Sequence, residues 1–106
     1  MGLFTKKEMN TAAAEAFWRW FSEKEEWITA NLKTNGMGVV LAIDTELKPV
    51  FPYFKREIEF QLGFNNGKGE FFFFHFGNKH LMRDGQILAD MMPEELKERW
   101  TVILEK

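Results

Sequence analysis

The 106-residue chain has no cysteine, so it can form neither disulfide staples nor thiolate metal sites. Serine is limited to Ser22, which falls within a helix-patterned segment and away from any nucleophile elbow. Histidine is limited to His75 and His80, with no carboxylate cluster at ligand spacing beside them, so no metal site is expected. No stretch approaches the roughly 18 apolar residues that would cross a bilayer. Charge of one sign is also lacking: 14 Lys and Arg stand against 16 Asp and Glu, a net charge of -2. That balance argues against a broad electrostatic hold on nucleic acid. The first residues, Met1-Gly2-Leu3-Phe4-Thr5-Lys6, lack the apolar centre of a secretory signal. Lys6 also stands where a myristoylation pattern needs Ser or Thr. A cytoplasmic location is expected, with no cofactor and no membrane partner.

Aromatic residues are abundant. They make up 16% of the chain, with 12 Phe and 4 Trp, enough to build the core of a single domain over residues 1–106. Thr5-x-x-Glu8 has capping-box spacing, with Phe4 and Met9 placed as a hydrophobic staple, so a helix is expected from near Lys6. Ala13, Phe17, Trp20, Phe21, Trp27, Ile28 and Leu32 fall on one stripe at three- and four-residue steps. Trp18 lies off its centre, either at the edge of the core or in solvent. Asn35, Gly36 and Gly38 end the pattern. The segment from Met37 to Phe51 fits two readings. Val39 to Ile43 suits a buried strand, while Val40, Ile43, Leu47 and Val50 step as a helix does; helix is preferred.

Ile58, Phe60, Leu62 and Phe64 alternate with Glu57, Glu59, Gln61 and Gly63, the pattern of a half-buried strand. Asn66-Gly67 is the favoured pair for a two-residue type I′ hairpin, and a second strand follows from Glu70 to Phe76. Asn78 can cap a helix over about Lys79 to Met91, which Gly85 should weaken. Pro93 opens a turn through Arg99. Trp100, Val102 and Leu104 then alternate with Thr101, Ile103 and Glu105 as a third strand. The expected fold class is α+β: a short antiparallel sheet of three or four strands, with two or three helices packed mainly on one face.

The run Phe71 to Phe74 places aromatic rings on both faces of its strand, because the side-chain period is two. A two-residue loop puts Phe60 opposite Phe73 and Leu62 opposite Phe71 on the core face. Phe72, Phe74 and Phe76 then share the other face with Gln61, Glu59 and Glu57. A one-residue shift would exchange the sets. Lys68-Gly69 before this run invites comparison with an RNA-binding aromatic strand, but Glu70 and His75 occupy the stacking positions. Nucleic acid is therefore not expected as a partner.

Phe17-Trp18-Arg19-Trp20-Phe21, followed by Glu25 and Glu26, a strand from Glu70 to Gly77-Asn78, and the step from Pro93 to Trp100 together resemble a loose group of small bacterial proteins of unknown function. The resemblance implies an α+β fold and no particular activity. A toxin-neutralising, immunity-type role enters only by analogy with comparable small proteins.

Two functions fit the sequence. The preferred one is a non-catalytic protein-interaction domain that uses Phe72, Phe74, Phe76, Glu57 and Glu59, with another protein or a second copy of the chain as partner. Monomers rarely leave a large apolar patch in water, and a symmetric homodimer is the simplest way to cover one. The alternative is a small-ligand or enzymatic domain with a Phe-lined pocket between sheet and helices. A helix or loop of the same chain covering the second face would remove the basis of the first.

Overall fold

The computed structural model describes residues 8–106. The capping box at Thr5 and its staple rest on earlier positions and lie outside the described residues. Glu8 to Asn10 are not helical. Helix α1 (Thr11–Asn31) begins instead at Asn10, whose side chain accepts a hydrogen bond from the Ala13 amide. That satisfies one of the donors that every helix start leaves free. Helix α2 (Gly36–Leu47) follows in the same way from Asn35, which accepts from Gly38, and passes into a 3₁₀ turn at Lys48–Val50. The helical reading of this segment holds, with one change of face. Val39, Ile43, Leu47 and Val50 are buried, and Val40 is exposed.

Strand β1 (Glu59–Asn65) turns at Asn66-Gly67 into β2 (Lys68–Phe74). Both turn residues have positive φ, 55° and 80°, as a type I′ turn demands. The register pairs Phe60 with Phe73 and Leu62 with Phe71, as the two-residue loop requires. After β2 come α3 (Lys79–Asp90), the short α4 (Glu94–Lys97) and β3 (Trp100–Glu105). Asn78 caps α3 as expected, accepting from the amides of His80 and Leu81.

The sheet order is β1-β2-β3, and β3 runs parallel to β2. The α+β class and the short sheet hold, but the sheet is mixed rather than wholly antiparallel. The connection explains why. The chain leaves one end of β2 and passes through helices, so it can return to the starting end before β3 begins. The described helices number four rather than two or three, because Pro93 to Arg99, read as a turn, contains α4.

All four helices contribute to one core: Phe17, Phe21 and Ile28 from α1, Ile43 from α2, Leu81 and Leu88 from α3, and Leu96 from α4. From the sheet side come Phe71, Phe73 and Trp100, with Phe60, Leu62, Val102 and Leu104 packed around them. Phe21 meets Trp100 edge-on at 5.1 Å, Phe60 stacks on Phe71 at 5.4 Å, and Phe51 lies 5.4 Å from Phe73. These are favourable aromatic geometries. Two features of α1 differ from the stripe expected. Trp27 is exposed, and Trp18 belongs to the core. The indole N–H of Trp18 donates to the Leu88 carbonyl at 2.8 Å. A distant helix end thus supplies both the cover and the acceptor that a buried Trp needs.

Gly85 has a tertiary reason for its place in α3. A Cβ there would lie 2.9 Å from Phe73 Cε1, so its absence lets the helix settle onto the central strand.

Candidate functional site

The second sheet face is built from rows across the three strands. Gln61, Phe72 and Ile103 form one row, and Glu59, Phe74 and Glu105 form the next. Phe72, Phe74 and Ile103 stand outside the core cluster to which all four helices contribute. They are half-buried. Beyond the end of β2, Phe76 continues the line and stacks on Phe74 at 6.5 Å. Phe76 is 61% exposed, and its φ of 53° is followed by 77° at Gly77. A bulky residue rarely takes this conformation.

The residues singled out in the sequence therefore divide. Phe72, Phe74 and Glu59 lie on the open face. Glu57 precedes β1 and Phe76 follows β2, so neither is on a strand. Glu57, Glu59 and Phe76 come together at the end of the sheet, around a cleft of about 520 Å³. Phe54 and Arg56 also line this cleft, with Asn78 and the buried His75. Sequence reasoning missed Phe54 and Arg56, since nothing local tells where the irregular chain before β1 will lie. It missed Ile103 as a member of the open face because the place and direction of β3 were not legible.

His75 follows the central strand β2 and is buried. Its backbone amide donates to Glu105 O at 2.9 Å, extending the pairing beyond β2. Its Nδ1 accepts from the Gly77 amide at 3.0 Å, so the ring proton sits on Nε2.

Two ion-pair groups elsewhere anchor the scaffold. Asp84, 2% exposed, accepts from Tyr53 Oη at 2.6 Å and from Arg83 at 2.8 and 3.0 Å. Burial alone would raise its pKa, but the hydrogen bonds from Arg83 and Tyr53 outweigh burial and hold it below the usual carboxylate value. Burial, reinforced by the Asp84 hydrogen bond, pushes the Tyr53 hydroxyl up. This group ties the chain before β1 to α3. Glu25 accepts from Arg99 at 2.7 and 2.9 Å and from the Trp100 indole at 3.0 Å. The Arg99 hydrogen bond lowers its pKa against the pull of burial, and the group ties α1 to the start of β3. Each carboxylate is taken up by an arginine, an arrangement that suits holding elements together rather than moving protons.

Among the described residues no group of three or more His, Asp or Glu is placed to hold a metal ion. No described helix is long and apolar enough to cross a membrane. Comparison with protein-family models, with curated proteins and with solved structures found no match for this chain.

Proposed function

We propose that the protein is a small non-catalytic interaction domain whose open sheet face is covered by another protein. The observation that carries this reading is the one-sided sheet. Among the described residues the helices pack on one face, while Ile103, Phe72, Phe74 and Phe76 form an apolar line on or beyond the other. Aromatic rings held on strands lose little entropy when covered and supply most of the contact energy in interfaces.

Charge decides between occupants. Glu59 and Glu105 flank Phe74, and Glu70 lies between Gly63 and Thr101 on the same face. A second copy docked about a two-fold axis would bring these carboxylates toward one another. A partner with an apolar patch edged by Lys or Arg meets no such opposition, and this is the partner proposed. The immunity-type role suggested by resemblance is one form of it.

The test is selection of binding peptides from a random display library, with sedimentation of the protein run in parallel. Selected peptides should combine apolar residues with Lys or Arg, and Phe72→Ser and Phe74→Ser should each lose them. Acidic peptides, or binding that survives both substitutions, would overturn the reading. A dimer that tightens as salt screens the glutamates would assign the face to a second copy instead. A different class of function, binding of a small molecule, is favoured by the cleft at the Phe76 end of the face.

A further inference from the structure

The cleft has a polar interior point that the fold does not use. His75 is the one buried residue of its lining and only 9% exposed. Its Nδ1 is occupied by the Gly77 amide, and Nε2–H has no acceptor among the described residues. No fully buried side-chain polar atom of the described chain lacks a partner, so Nε2 is reached by solvent, and His75 lines the cleft. Beside it, Asn78 spends its Oδ1 on the start of α3 and leaves its Nδ2 donors free. Both groups can donate to an acceptor placed in the cleft.

The walls point the same way. Phe54 and Phe76 are aromatic, and Phe76 holds its place at φ 53° while mostly exposed. Glycine would fit that backbone more easily, and the core does not need the ring. Strain retained at an exposed aromatic beside a cavity marks a site where the side chain has another use. Charge at the mouth is slightly negative. Arg56 lines it with two carboxylates, Glu57 and Glu59, and Lys48, 3.9 Å from Glu57, is also 3.7 Å from Asp44, so an anionic ligand gains nothing there. The volume of about 520 Å³ falls within the usual range for small-molecule sites, roughly 300–1,000 Å³.

We propose that this cleft binds a small uncharged molecule with a flat apolar ring and a carbonyl-type acceptor. The ring lies against Phe54 and Phe76, and the acceptor takes the His75 Nε2 proton. The inference rests on the small-molecule reading and does not require the open face to be an interface.

The test is an NMR titration of the labelled full chain with benzamide, which has both ring and carbonyl. Toluene serves as the probe without an acceptor, and benzoate and benzylamine as the charged ones. Benzamide should shift the His75 imidazole and Phe76 signals saturably, with a dissociation constant on the order of 1 mM, as suits a fragment of this size. Toluene and benzylamine, which offer no acceptor, should bind at least about tenfold more weakly, the margin one satisfied buried donor provides. Benzoate, which can accept, should be opposed by the Glu57 and Glu59 carboxylates of the lining. Phe76→Gly should abolish the shifts while melting no lower than the parent, which a purely structural Phe76 would not do. His75→Phe should erase the preference for benzamide over toluene, and Phe72→Ser should leave binding unchanged. Absence of saturable shifts at His75 and Phe76, equal binding of the charged probes, or full binding by Phe76→Gly would overturn the proposal.

Discussion

Phe71 and Phe73 are sealed, at 1% and 0% exposure. Their neighbours Phe72 and Phe74 lie on the face that no helix side chain joins through the core cluster. Four identical side chains in a row thus divide between the two sides of one strand. Residue type cannot cause the difference. Register assigns each ring to a side, and the helical crossover between β2 and β3 decides which side is covered. Polar groups divide in the same way. On the covered side Asp84 is buried and held by Tyr53 and Arg83. On the open side Glu59 and Glu105 are exposed and free to select what docks there.

The largest expected effect tests this division directly. Phe73→Ala should cost about 3–5 kcal/mol, as aromatic truncations in cores do, while Phe72→Ala should cost less than about 1 kcal/mol. Chemical denaturation of both variants measures the pair, and equal losses would mean that the second face is also core.

Next is the contrast between buried and exposed carboxylates. Asp84→Ala removes the acceptor of the part-buried Tyr53 hydroxyl, a loss of about 1–3 kcal/mol, whereas Glu59→Ala should stay within about 0.5 kcal/mol. The same carboxylate sets the response to acid. The folded pKa of Asp84 lies below its ordinary value of 3.8, so its contribution to stability is complete above that value. It is lost as pH falls through about 4 toward the folded value. Glu25, lowered from 4.5 by Arg99, acts in the same direction. Melting temperature measured from pH 6 to pH 2 should fall over this window, and less steeply for Asp84→Ala than for the parent.

Gly85→Ala sharpens the contrast from the helix side. Its methyl would meet the Phe73 ring at 2.9 Å and Leu104 Cδ2 at 3.2 Å, so the gain in helix propensity should be outweighed by overpacking, for a net loss of about 1–2 kcal/mol. A melting curve above that of the parent would show that α3 can move away from β2 without penalty.

The smallest expected effect concerns register. Gly67→Val forces a β-branched residue to φ 80°, which should cost about 1 kcal/mol. Amide shifts of β1 and β2 should move together, because a slip of one residue would exchange the two sets of rings.

Much of this was legible before any coordinates. The Asn66-Gly67 pair alone implied the turn, the turn implied the register, and the register assigned Phe72 and Phe74 to one face and Phe71 and Phe73 to the other. These links are local, involving positive φ and an alternation of two. The cap at Asn78 was equally local. The position of Trp18 was not, because its cover and its acceptor come from Leu88, seventy residues away. The face of α2 was misread by one position, since Val39, Val40 and Leu41 are all apolar and periodicity within them cannot choose. The cleft was the least legible, for its walls come from the irregular chain before β1 and the turn after β2, where no period applies.

The sequence by itself determined the hairpin, the cap of α3 and the split of the phenylalanine run, because backbone preferences and side-chain alternation act between near neighbours. Only the tertiary structure decided that β3 runs parallel to β2, that Trp18 is core and that His75 meets Phe54 and Phe76 at one cleft. Those outcomes depend on where a crossover of helices returns the chain. That is set by the summed burial of many side chains rather than by any short segment.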